Sequence, residues 1–392
     1  MNIRKYSIYF HTHTISGIII CALLYVIFFA GSFSFFKEEI SAWQKDQSQS
    51  SFASERKRDF NYVVDSLAQK HTLLGRDINF SFPRAGAAAY VYMSASHDTL
   101  VSKPQPVQQQ RGRRGPNNAD TENFTFDFQK HKASDYSRSY DMGEFLYRLH
   151  FLAQLNQVPI NIGTPFGYLL AGIVSFLFLF ALITGFFLHY EKIKSNFFVF
   201  RPFSKWKTVW TDLHTAIGII GFPFQFIFAV TGVILIANFA LFTPYSKILY
   251  QHDADKLYAA LEYVDAEVFD YTYKTLDTQV DVNGVVTAVA KKWDGAYITQ
   301  VSIRNYGDDN MHILLHGKPR PSVRFAGSGK LVYQVKEGKV LYEKSPIHDA
   351  NYIDQVKALI YHLHFGDFGG KPLRIVFFIL GLMGCVVIIS GI

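Results

Sequence analysis

Two histidines open matching stretches of this chain. His13 is followed by Gly17 and Gly31, and His214 by Gly218 and Gly232, with the same spacings. A second pair matches too. Arg148-Leu149-His150-Phe151 and His362-Leu363-His364-Phe365 are each followed by Gly-x-Pro, at Gly163-Thr164-Pro165 and Gly370-Lys371-Pro372. Neutral imidazole nitrogen is a metal ligand, and haem iron accepts it. Two copies related by an axis along the membrane normal would set equivalent residues opposite each other. Two imidazoles facing across a helical bundle form a bis-histidine haem site, since bundle cores hold cofactors between facing helices. The spacing therefore nominates His13 with His214, and His150 with His364, as ligands of two b-type haems.

Other readings of the same residues stay open. His189 and His362 are substitute ligands. His11 lies two residues from His13, about 200° round a helix, and cannot share its face. A histidine at a span end also suits the headgroup region, hydrogen-bonded to water. The glycines would let a flat macrocycle approach the backbone, and they serve close helix packing equally well. Zinc needs three or four ligands in one cluster, which two opposed histidines do not provide.

Such histidines need helices to position them. Of 392 residues, 49% are hydrophobic, 16% aromatic and 18% charged, against about 25% charged in soluble domains. That balance excludes a disordered or collagen-like chain and argues against a purely soluble enzyme. Two cysteines exclude a disulfide scaffold and any cysteine-built zinc or iron–sulfur centre. The net charge of +7 is spread along the chain and marks no nucleic-acid footprint. Four charge-free runs, 15–36, 164–188, 213–246 and 375–392, approach or exceed the roughly 20 residues that cross a bilayer. The third is too long for one span, which places its helix near 213–239, with Pro223 predicted to kink it beside the polar Gln225. No acidic residue lies inside a span, which argues against a carboxylate proton relay. Phe33, Phe35 and Phe36 stand where a signal-peptide cleavage site would be, so the first run reads as a retained span.

Basic residues set the orientation. Arg4 and Lys5 precede the first span, and Lys192, Lys194, Arg201, Lys205 and Lys207 face a single Glu191 between the second and third. Both segments are expected in the cytoplasm. The chain then divides into 1–36 with the first span, an outer module 37–163, a span 164–190, a cytoplasmic loop 191–207, a span 208–239, an outer module 240–370 and a span 371–392. Each module ends in an amphipathic stretch, 142–155 or 352–365, expected along the membrane surface. The register predicts that the last span continues beyond Ile392. The modules lack cysteine and read as helix plus antiparallel sheet: a helix in 54–70 and strands at 78–82, 90–93 and 124–128, then a helix at 282–293 and strands at 297–303, 311–315, 330–335 and 339–343. The Arg111-Gly112-Arg113-Arg114 run reads as a solvated loop, with an anionic docking patch as its other reading. His312 and His316 fall on a strand, about 13 Å apart, which suits no shared metal.

The motifs His13-x3-Gly17, Arg148-Leu149-His150, Asp212-Leu213-His214-Thr215-Ala216-Ile217-Gly218, Thr231-Gly232 and Leu363-His364-Phe365-Gly366 with Gly369-Gly370 give the chain its resemblance. Over nearly its whole length it resembles the PepSY-associated transmembrane family of iron-regulated inner-membrane proteins. It departs from the pattern at Thr14, where a tryptophan often follows the first histidine. The resemblance implies an integral bundle of four transmembrane helices in two parallel repeats, with two periplasmic α+β PepSY-like modules, in a bacterial inner membrane. It implies haem-based reduction of a ferric chelate or siderophore, fed by a cytoplasmic or membrane electron donor. The alternatives are a non-catalytic PepSY-type scaffold engaging periplasmic partners and a transport accessory subunit.

Overall fold

The computed structural model describes residues 2–44, 58–82, 88–101, 120–135, 140–160, 165–261 and 268–392. The Arg111 run lies outside them. The chain forms two units. One is helical, from Met1–Asp46, Asp141–Leu261 and Leu359–Ile392; the other holds the sheet, from Gln47–Tyr140 and Glu262–Ala358.

Four helices of the helical unit are long and apolar enough to cross a membrane. They are the first span Ile3–Ser34, the second Phe166–His189, the third within Trp206–Tyr250, and the fourth Gly370–Ser390. The first and third each pack on both the second and the fourth, closing a four-membered ring. Every helix reaches beyond its charge-free run, because polar and basic residues continue a helix once it leaves the apolar layer. The first begins at Ile3, where the Asn2 side chain caps the Arg4 N–H. The third is helical for 45 residues, through both Pro223 and Pro244, rather than only over 213–239. Inside a membrane, neighbouring helices offset the hydrogen bond a proline removes. The fourth begins at Gly370 and carries Arg374, whose Nε donates to the Phe35 carbonyl at 2.9 Å and whose Nη2 pairs with Glu39 at 2.6 Å.

The helix Met142–His150 is set by its first turn. Asp141 accepts from the Glu144 N–H, and the Glu144 carboxylate pairs with Arg148 at 2.7 Å and Lys37 at 2.5 Å. The expected continuous stretch 142–155 is broken by Leu152, whose φ of 55° turns the chain into a short 3-10 helix, Ala153–Gln157. The second such helix runs unbroken over Tyr352–Phe365.

In the sheet unit the two expected modules are one body. Strands β1 (Ile78–Ser81), β2 (Ala88–Met93), β3 (Glu122–Asp127), β4 (Lys132–Asp135), β5 (Ala296–Arg304), β6 (His312–Pro319), β7 (Gly329–Gln334) and β8 (Lys339–Lys344) form a single antiparallel sheet ordered β4-β3-β2-β1-β5-β6-β7-β8. The halves join where Ile78 pairs with Ile303 and Phe80 with Val301. The alternating apolar residues marked each strand's buried face but not which strand edges would meet. Strand β4 is too polar to carry such a pattern. Helices Phe60–Ala68 and Val282–Lys292 share one core with the sheet, built on Phe60, Val64, Phe80, Val91, Val286 and Ile298.

Those two helices are tied together at their N-termini. Asn61 Oδ1 accepts from the Val282 N–H at 3.0 Å, and Asn283 Oδ1 accepts from the Phe60 N–H at 2.7 Å. Each amide also donates across, Asn61 to Asp281 at 2.9 Å and Asn283 to Asp59 at 2.8 Å. Asp59 and Asp281 in turn cap their own helices. An Asp-x-Asn repeated at 59–61 and 281–283 thus satisfies first-turn N–H groups that a helix leaves unpaired. Asn283, then the Tyr62 N–H, hold the Asp59 pKa below its ordinary value; the Gly284 N–H, then Asn61, do so for Asp281. A carboxyl depressed on folding stabilises above its unfolded pKa, near 4, and that stability is lost as pH falls through the folded value. Asn61→Ala and Asn283→Ala are each expected to destabilise the sheet unit by about 1–2 kcal/mol. Asn283→Ala should also blunt the loss of protection in acid. Hydrogen exchange on the full chain in detergent checks both; protection unchanged over residues 60–68 and 282–292 would refute them.

Candidate functional site

The helical unit brings the four nominated histidines together in two pairs. The rings of His13 and His214 are 6.0 Å apart, centroid to centroid, at 61°. Those of His150 and His364 are 5.8 Å apart at 39°. His214 and Thr231, the hydroxyl that holds His364, are separated by seventeen helical positions, about 25 Å of rise. The pairs therefore occupy opposite ends of the bundle.

Each imidazole is oriented through Nδ1. His13 Nδ1 donates to the Ala181 carbonyl, His214 Nδ1 to the Val387 carbonyl and His150 Nδ1 to the Ile27 carbonyl, all at 2.8 Å. A carbonyl only accepts, so these bonds place the proton on Nδ1. Thr231 Oγ1 spends its proton on the Ile227 carbonyl at 2.6 Å, and so accepts from His364 Nδ1 at 2.8 Å. All four rings are thereby held with Nε2 as the nitrogen bearing a free lone pair, the state a metal ligand requires. Outside the spans, burial lowers the His150 pKa, opposed by its bond to Ile27; burial, then His150, pushes His364 down to about 3.

Three glycines make room for this. In a helix the carbonyl at i is shadowed by the side chain at i+4. Ala181, Val387 and Ile27 are followed four residues later by Gly185, Gly391 and Gly31. A Cβ at Gly31 would stand 2.5 Å from His150 Nδ1, one at Gly185 2.9 Å from His13 Cε1, and one at Gly391 2.7 Å from His214 Cε1. Gly17 and Gly218 differ: a Cβ at either would meet nothing within 4 Å. Of the four glycines expected to admit a macrocycle, these two border open space one turn from His13 and His214. Gly31 is filled by an imidazole, and Gly232 lies beside Ser175 and His364. Phe228 makes ring contacts with Phe28, Phe377 and His364.

These residues fit a bis-histidine haem. Two imidazoles bound through nitrogen at about 2 Å on opposite sides of one ion would set their centroids about 6 Å apart. The open faces of Gly17 and Gly218 suit a flat ring. Among the described residues no group of three or more His, Cys, Asp or Glu is gathered for a metal ion.

The other histidines are placed differently. His189 lies within electrostatic range of His13 and His214, and its Nδ1 accepts from Asn196 at 2.9 Å. His362 pairs with Asp367 at 2.5 Å, two residues before His364. His11 is exposed. His312 is buried on β6, bonded to the Asn310 carbonyl and stacked on Phe269. Asp212, just before His214, is gripped by Arg201 through Nε–Oδ2 at 2.8 Å and Nη2–Oδ1 at 2.9 Å, fixing the loop to the third span. The spacing of the histidines did not disclose the hydrogen-bond acceptors. The signal for them was Gly at i+4 from Ala181, Ile27 and Val387.

No curated protein matches this sequence. A family model described as the PepSY-associated TM region matches residues 10–392. With that match over nearly all of its length, this membrane protein belongs to the PepSY-associated TM region family.

Proposed function

We propose that the bundle holds two b-type haems, one between His13 and His214 and one between His150 and His364, and passes electrons through the membrane to a ferric chelate. The observation that carries the reading is the paired geometry: centroids 6.0 and 5.8 Å apart, with each Nδ1 on a hydrogen-bond acceptor and each Nε2 unbonded among the described residues. Bound haem would supply one-electron chemistry. The chain's share is to hold each imidazole in one tautomer and orientation through Ala181, Val387, Ile27 and Thr231. Burial keeps the outer pair neutral. Reducing Fe³⁺ in a hard-oxygen chelate such as a siderophore loosens the chelator's grip, which fits iron acquisition.

The basic loop 191–207 supports a reading with the His13/His214 pair on the cytoplasmic side of an inner membrane and the sheet unit in the periplasm. In a Cys21→Ser/Cys385→Ser background, a cysteine at exposed Ala133 should react with an impermeant thiol reagent in intact spheroplasts, and one at exposed Ser195 only after lysis. The reverse pattern would invert the assignment. The haem reading itself is tested by a visible spectrum and pyridine haemochrome assay of protein made with ample haem. Two haems b per chain are expected. A colourless protein would overturn the reading and favour a scaffold.

A further inference from the structure

Among the buried differences between the two copies, one brings a side-chain amide into the bundle. Counting from the paired histidines, Ile20 and Leu24 of the first span correspond to Gly221 and Gln225 of the third. Ile20 and Leu24 are ordinary buried apolar residues, 2% and 5% exposed. Gln225 is just as buried, at 2%, while its neighbours Pro223, Phe224 and Phe226 are exposed. The amide therefore faces the bundle interior. Among the described residues its Nε2 has no hydrogen-bond partner.

Room has been made for that amide. A Cβ at Gly221 would stand 2.8 Å from Gln225 Nε2, so the side chain folds back along its own helix over the glycine. Helical side chains lean toward the N-terminus, and on this helix that direction leads to Gly218 and His214. Gln225 is eleven residues past His214, within about 20° of its azimuth. Gly218, bordering open space, is on nearly the same face. An unpaired amide donor inside a membrane protein costs free energy, and polar groups at such depth are as a rule functional. A residue serving packing alone would be apolar, as Leu24 is.

We propose that Gln225 tunes the inner site: its amide N–H donates toward the reducible group held between His13 and His214 and raises that group's reduction potential. The inference rests on the haem reading above. Its physics is the sign of a dipole. The positive end of an N–H aimed at a centre that gains an electron stabilises the reduced form, and a dry, low-dielectric surrounding enlarges the effect. The Gly221/Gln225 pair gives the second copy a donor that Ile20/Leu24 cannot supply. The inner site is thereby made asymmetric between the two copies that build it.

The test is spectroelectrochemical titration of both haems in the wild-type chain, Gln225→Leu and Gly221→Ala, with His214→Ala identifying the inner haem. Gln225→Leu should lower the inner midpoint by about 59 mV, a tenfold change in a one-electron equilibrium, and leave the outer one in place. Gly221→Ala keeps the amide but displaces it, and should lower the same midpoint. It also covers the case in which Gln225→Leu does not fold. Inner midpoints unmoved in haem-replete variants, or equal falls in both haems, would overturn the proposal while the haem reading stood. A wild-type chain without haem is recognised before any variant is made and would remove both.

Discussion

On the proposed haem reading, His13→Ala and His214→Ala should each remove the same haem, and the double variant should remove little more. Ligands of one metal act as a unit, so their losses do not add. Both rings are held from outside the pair, His13 by Ala181 and His214 by Val387. Loss of one leaves the other oriented but facing a gap that no described side chain is placed to fill at the same distance. His189 is the nearest rival, and its Nδ1 is engaged by Asn196. His189→Ala should leave the haem content at two per chain. The outer pair behaves likewise: His150→Ala and His364→Ala should each lower the pyridine haemochrome value from two haems to one and spare the inner haem. His362→Ala should leave it at two, since His362 is committed to Asp367. Additive losses within a pair, or a loss confined to His189→Ala or His362→Ala, would show that the pairing is wrong.

Much of this geometry was legible in the sequence, and the reason is the repeat. Equal spacings from His13 and His214 to their glycines set the same residues on corresponding faces of two helices. The Leu-His-Phe elements then fall at the other ends by connectivity alone. The meeting of His13 with His214 and of His150 with His364 followed without side-chain information. What was not legible is whatever depends on a partner distant in sequence. Nothing near Asn61 says that its amide will satisfy the first turn of a helix 220 residues on, although the repeated Asp-x-Asn was visible. The union of two modules into one eight-stranded sheet turns on the β1–β5 edge, which local alternation does not reveal. The charge-free runs located the apolar layer but not the helix ends, since a helix ends where its backbone loses partners. Gln225 was conspicuous as the one strongly polar mid-span group, but only the packed bundle shows it turned inward over Gly221.

The glycines divide into two classes with opposite expected behaviour when alanine replaces them. At Gly31, Gly185 and Gly391 the added methyl would lie 2.5 to 2.9 Å from an imidazole atom, well inside the 3.5–4.0 Å of a relaxed contact between heavy atoms. The ring must move by about 1 Å, and its Nδ1 bond to the carbonyl one turn earlier is lost. Loss of a group that orients a metal ligand typically costs 10- to 100-fold in affinity, so each variant should release its haem on dilution: the outer one for Gly31→Ala, the inner one for Gly185→Ala and Gly391→Ala. At Gly17 and Gly218 the methyl enters open space, and alanine is the better helix former. The haem-free chain should therefore be at least as stable as before, by thermal unfolding in detergent. If that space admits a macrocycle, haem binding at the inner site should nonetheless weaken, because the methyl would occupy it. Stability and haem affinity then move in opposite directions for Gly17→Ala and Gly218→Ala, which simple damage to the fold cannot produce. Haem titration into the haem-free variants measures it. Unchanged affinity in both would mean that the open faces of Gly17 and Gly218 are not where the cofactor lies.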